Sequence, residues 1–235
     1  MARHAWFLLL LVLGTVSAAP LWADIGPRPP ITEQEVSNPQ EYLAMKAEDV
    51  KVTIAGKAAH VVATFHFESI PLRRALLKMR VGFPRLRSDQ PYRNFNVLQT
   101  VDGSGQFTAS NRQAVESDKN PSPQFSAGLD AEWLAWLVRL HGSNGAPMAC
   151  RVDAQVSYDQ DLTPIKGSRN SRFTYVLRSG APWKETIGKA TITVSADKPR
   201  IVSATPQGGA RQGNGMTWSL ADFEPTQDVV VVVKP

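Results

Sequence analysis

The chain has 235 residues, with 26 Lys and Arg against 21 Asp and Glu, and 43% of its residues are hydrophobic. Its one cysteine, Cys150, excludes an intramolecular disulfide and the small disulfide-framework classes, so a packed core must hold the fold. Removing a leader that contains Arg3 leaves 25 basic residues against 21 acidic ones, a formal charge of +4, too small to argue for nucleic acid as a partner.

The first segment reads as an address. Residues 1–6 carry Arg3, residues 7–13 form an unbroken apolar run, and small residues follow, which is the grammar of a secretory signal. Cleavage after Ala23 leaves Asp24 first, and Ala18 is the alternative. The run is too short to span a hydrocarbon layer of about 30 Å, and no cysteine follows it to accept a lipid. The expected location is periplasmic or secreted. Residues 24–43, with Pro27, Pro29, Pro30 and Pro39, read as an extended lead-in. A β-domain then covers 44–235, with a subdivision near 160–170 left open.

From there the chain alternates apolar and polar residues, the period of half-buried strands. Val50, Val52 and Ile54 mark the first, over 49–54. Ala55-Gly56-Lys57 turns into the second, 59–67, where Ala59, Val61, Ala63, Phe65 and Phe67 share a face. A third, about 76–83, ends at Pro84, which cannot donate to a ladder. Residues 94–101 lead into the 102–105 turn, and 106–109 return as a strand. Residues 111–126 are polar and read as a loop.

Residues 132–141, EWLAWLVRLH, fit two periods. Trp133, Trp136, Leu137 and Leu140 suit a helix, whereas Leu134, Trp136, Val138 and Leu140 suit a strand. Asn144-Gly145 is a hairpin dipeptide and 148–158 alternates cleanly, which favours the strand. Residues 172–194 hold two further runs, Phe173, Tyr175 and Leu177, then Ala190, Ile192 and Val194, around the break at Ser179-Gly180-Ala181-Pro182. A short strand at 199–205, a mobile glycine-rich loop at 207–215, and a closing pair at 216–220 and 229–233 complete the reading. The expected fold is all-β, an antiparallel sandwich of roughly ten strands with few or no helices.

The segments MKAEDVKVTI, ATFHFES, MRVGFP and FNVLQTVDG, with WLAWLVRL, VSYD, FTYVLRSGAPWKETIGKATITV and WSLADFEPTQDVVV, resemble a family of exported bacterial β-rich proteins of unknown function. The resemblance spans roughly 44–233. It implies an exported β-rich protein and supplies no activity and no functional residues.

The candidates for chemistry are few. His60 and His66 share a strand face but lie about 20 Å apart, too far for one metal, and no Cys/His cluster exists. Cys150 alternates inward and reads as an inert core thiol. The glycine-rich loop lacks both the lysine of a phosphate loop and a helix to follow it. Asp222 and Glu224 sit in a turn beside Phe223 and Pro225, and read as acids of a packed turn before any glycoside-cleaving pair. No catalytic residue, cofactor or metal is assigned.

The most suggestive feature is basic. Arg73, Arg74, Lys78, Arg80, Arg85, Arg87 and Arg93 fall in a span with one acid, Asp89. Lys78 and Arg80 should project together from one strand face, and the group is the candidate surface for an anionic envelope polymer or another envelope protein. The plainer reading is a solvated face that protects a sheet edge. Three functions follow: a non-enzymatic exported protein that binds or scaffolds in the envelope, a hydrolase acting on carbohydrate or peptide, and an assembly subunit pairing through an edge strand, best offered by Val229 to Val233. The first is favoured.

Overall fold

The structure is a computed structural model, and it describes residues 26–28, 41–72, 77–101, 106–118, 129–140, 149–178, 183, 186–224 and 226–235. The leader, most of the proline-rich lead-in, Arg73, Arg74, His141, the 102–105 turn and Asn144-Gly145 lie outside them.

The expected all-β fold is what forms. The strands are β1 (Gly26–Arg28), β2 (Leu43–Ala55), β3 (Ala58–Ser69), β4 (Leu77–Leu86), β5 (Tyr92–Val101), β6 (Glu116–Asp118), β7 (Ala131–Leu140), β8 (Arg151–Asp161), β9 (Thr163–Pro164), β10 (Ser171–Tyr175), β11 (Ile187–Ala196), β12 (Arg200–Thr205), β13 (Ala210–Gln212), β14 (Gly215–Phe223) and β15 (Val229–Lys234). A seven-stranded sheet runs β13-β14-β11-β2-β3-β8-β5, and two four-stranded sheets run β1-β4-β7-β6 and β12-β15-β10-β9. Every pairing is antiparallel except that of β2 with β11.

The large sheet has one dry face. Val50, Val52 and Ile54 of β2 point into the same cluster as Met79, Val81 and Phe83 of β4, and as Phe173, Val229, Val231 and Val233 of β10 and β15. Both small sheets therefore pack on one side of the large sheet, and the protein is a sandwich. Glu48 shares the inward phase of β2, where the Tyr175 hydroxyl donates to its Oε1 at 2.9 Å. Cys150 is buried in this core, as its alternation implies.

The strand reading of 132–141 holds: β7 pairs with β4 from Leu77↔Leu140 to Leu86↔Ala131. Its two faces serve different clusters, because Trp136, Val138 and Leu140 enter the main core while Trp133 packs with Leu129 and Val176. That double burial is why both periods fitted the sequence.

Other boundaries differ. β4 runs through Pro84 to Leu86; among the described residues its pairing with β1 ends at Gly82, and Pro84 lies opposite Trp133 of β7 alone. Residues 106–109 form no strand; Ala109–Asn111 is a 3-10 turn, with the Asn111 side chain accepting the Thr108 N–H at 2.9 Å. The polar 111–126 segment contains β6, an edge strand on β7. The glycine-rich loop folds as the β13–β14 hairpin and presses on Trp218, where a Cβ on Gly209 would lie 2.7 Å from the ring. β14 and β15 do not pair: β14 joins β11 in the large sheet, and β15 lies between β10 and β12. Val229 to Val233 thus has no free edge for a partner strand.

Candidate functional site

Within the described part of the basic run, four arginines meet carboxylates. Arg80 is buried, and its Nη1 meets Glu116 of β6 at 2.9 Å. The β4–β7 register sets Arg85 opposite Glu132, and the two form an ion pair that Ser117 also joins. Arg87 meets Asp130 at 3.0 Å, and Arg93 meets Asp161 at 2.7 Å. Lys78 is half-buried beside Arg139 of β7 and is also engaged. Asp89, the one acid of the span, is buried against Arg172 at 3.6 Å; burial pushes its carboxyl above the usual range, and Arg172 and the hydrogen bonds from Gln160 and Thr163 oppose that shift.

The other candidates are structural. His60 and His66 each hold a β8 carboxylate across the strand pair, Asp159 and Asp153, both at 2.7 Å. The His60 hydrogen bond, helped by one from Asn94, keeps the Asp159 carboxyl below the usual aspartate range. Among the described residues, no three His, Cys, Asp or Glu side chains gather as a metal site. Asp222 and Glu224 are exposed around the end of β14. Trp183 and Trp218 are both buried.

A different place has the geometry of a site. At one end of the sandwich, the β2–β3 turn, the β9–β10 loop and the β11–β12 turn frame a cleft of about 610 Å³. Leu162, Pro199 and Val233 give it an apolar floor, Pro164 stands exposed in its wall, and Lys57, Arg169 and Lys198 stand on its rim. None of the three has a carboxylate partner among the described residues. Asp161, next to the floor, is already taken by Arg93.

Each frame element is fixed by local chemistry. Gly56 has φ 59 at the first position of a two-residue hairpin turn between Ala55 and Ala58, a conformation that an L side chain resists. Lys57 follows it, and its carbonyl accepts the Leu162 N–H at 2.8 Å. In the β9–β10 loop, Gly167 has φ 76 at the third position of a turn closed by Ser168 N–H to Ile165 O at 3.1 Å, and Arg169 follows. The turn bearing Lys198 is bound from two sides. Asp197 N–H donates to Ile54 O at 2.9 Å, and the Asn214 side-chain amide donates to Ala196 O and Pro199 O, both at 2.8 Å. The Asn214 Oδ1 accepts the Ile201 N–H at 3.1 Å. The rim cations therefore stand on turns closed by hydrogen bonds.

Sequence reasoning flagged the turn at Gly56 but not the site. Gly167 carried no signal there and Pro199 read as the start of a strand; the basic residues Lys57, Arg169 and Lys198 are far apart in the chain, and only the crossover of strands between sheets brings them together.

The fold is that of an all-β sandwich, and among the described residues no helix is long and apolar enough to cross a membrane. No protein family and no curated protein matches the chain. Among solved structures, a "putative nutrient binding protein" from Legionella pneumophila is similar, with a TM-score of 0.62 at 17% identity over 92% of this chain and 73% of that one. At this identity the likeness is one of fold. An M1 zinc metallopeptidase from Deinococcus radiodurans aligns with a TM-score of 0.36 at 13% identity, over 83% of this chain and 43% of its own. Leukotriene A4 hydrolase from Saccharomyces cerevisiae aligns with a TM-score of 0.36 at 11% identity, over 87% and 31%. These two are too remote to carry an argument.

Proposed function

We propose that this is an exported, non-enzymatic protein of the bacterial cell envelope that binds or scaffolds through the cleft between Lys57, Arg169 and Lys198. The observation that carries the reading is a concave apolar floor under cations that no carboxylate of the described chain neutralises. Ligand sites are commonly of this kind, largely apolar with a few fixed polar groups and a volume of about 300–1,000 Å³. The Arg3-led leader and the resemblance to exported β-rich proteins support export. The description of the Legionella neighbour agrees with a binding role and says nothing of this chain's ligand.

The test is capture from envelope extract with the processed protein as bait, wild type against Ser171→Trp, which fills the cleft. Wild type should retain protein or small-molecule partners that the filled variant loses. Identical retention by both would remove the cleft from the function. Exported product should begin at or near Asp24, and a product retaining Met1 inside the cell would end the envelope reading.

A further inference from the structure

We infer that the ligand of the cleft is a single-chain amphiphile with one anionic head, the head among Lys57, Arg169 and Lys198 and the chain on the floor of Leu162 and Val233. This deepens the binding reading above and rests on it.

Three features of the site choose that chemistry together. The floor is apolar and dry at its base, with Leu162 6% and Val233 1% exposed, so it offers little to a wholly polar solute such as a sugar or inorganic phosphate. The rim is cationic, and among the described residues none of its three cations is held by a carboxylate, with Asp161 engaged by Arg93, so an anion displaces no internal partner on arrival. The exposed Lys57, Arg169 and Lys198 can lay their methylene stems over an apolar guest while their charged ends stay wet, so the same residues that fix the head also close over the chain.

Competing occupants fit less well. A metal cation is repelled by the rim. An extended polyanion needs a track of unpaired cations, and the longest basic run in the chain spends Arg80, Arg85, Arg87 and Arg93 on carboxylates. A membrane surface needs exposed apolar side chains, and among the described residues the large ones are Ile70 and Val202, neither of them in the cleft. The guest is therefore a free or carried small molecule, with a carboxylate or a phosphate monoester as its head.

The probes are decanoate, decyl phosphate and the uncharged decyl maltoside, each below its micelle concentration, titrated calorimetrically into the processed wild-type protein. Both anions should bind one to one and the maltoside much more weakly, and anion binding should weaken with added salt because screening shortens the reach of the rim charges. The triple variant Lys57→Gln, Arg169→Gln, Lys198→Gln should bind the anions about tenfold more weakly, as three exposed pairs of modest strength imply. Preference between decanoate and decyl phosphate identifies the head. Equal binding of decanoate and decyl maltoside, unchanged in the triple variant, overturns the anionic head while leaving a cleft that binds. Decanoate binding that survives Ser171→Trp places the ligand outside the cleft and overturns the inference outright. If that variant does not fold, Pro164→Trp, at an exposed position of the same wall, serves instead.

Discussion

Along β4 and the loop that follows it, Arg80, Arg85 and Arg87 each meet a carboxylate from β6, β7 or the residue just before β7. At the cleft, Lys57, Arg169 and Lys198 meet none among the described residues. The first group is dense in sequence and neutral in space; the second is sparse in sequence and convergent in space. The cause is sheet formation, which brings strands distant in the chain alongside a basic one: the register sets Arg85 directly opposite Glu132, whereas Arg80, opposite Leu137, meets Glu116 of β6, the strand beyond β7. Turns have no such partner opposite them. Charge density along a sequence therefore says little about free surface charge in a β-protein.

The largest expected effect concerns what holds the cleft open. Asn214→Ala removes two bonds donated to Ala196 O and Pro199 O and one accepted from Ile201 N–H. At about 1 kcal/mol each, less some replacement by water, unfolding in denaturant should show a loss of about 2 kcal/mol. Anion binding should fall in the same variant, because Lys198 rides on that turn. A change under about 0.5 kcal/mol would mean that the turn holds itself and that Asn214 is incidental.

A smaller effect separates the two basic regions directly. Glu116→Gln takes the counter-ion from Arg80, a guanidinium with only 10% of its side chain exposed, and should cost about 1–2 kcal/mol by chemical denaturation. Neutralising Lys57 or Lys198 singly should change stability by less than about 0.5 kcal/mol, since each is exposed and has no carboxylate partner among the described residues. If the order reversed, the cleft lysines would be structural and the β4 arginines would be the available surface.

The long strands were readable because six or more alternating residues carry a period, as in β2, β3 and β8. The four shortest, β1, β6, β9 and β13, have three residues or fewer and all lie at sheet edges. So short a segment shows no period, which is why β6 was hidden in a polar loop and β13 in a glycine-rich one. The allocation of strands to sheets was equally hidden. Residues 172–177 and 190–194 read as one unit, yet β10 and β11 belong to different sheets, and β2 beside β11 is a parallel pair that no local turn announces. The candidate site inherits that opacity, since its three cations come from three connections between such strands.

A last small effect tests the neutralised region by pH. Asn94 adopts φ 55 within the β5 bulge and donates to Asp159 at 2.6 Å, while His60 bonds the other carboxylate oxygen at 2.7 Å. These bonds, the His60 one foremost, hold the folded Asp159 below its unfolded value, so its contribution to stability is present above about pH 4 and is lost as pH falls through the folded value. Asp159→Asn should therefore separate from wild type above about pH 4, by less than about 1 kcal/mol because the pair is partly exposed, and the two stability curves should converge in acid. Asp89 acts with the opposite sign. Burial raises it, so the folded state binds its proton more tightly and stability falls as pH rises from the unfolded to the folded value. That slope is common to wild type and Asp159→Asn and cancels in their difference. Curves that stay parallel down to strong acid would show that Asp159 is not held by His60 and Asn94, and that this part of the sheet surface is less tightly compensated than the β4 arginines.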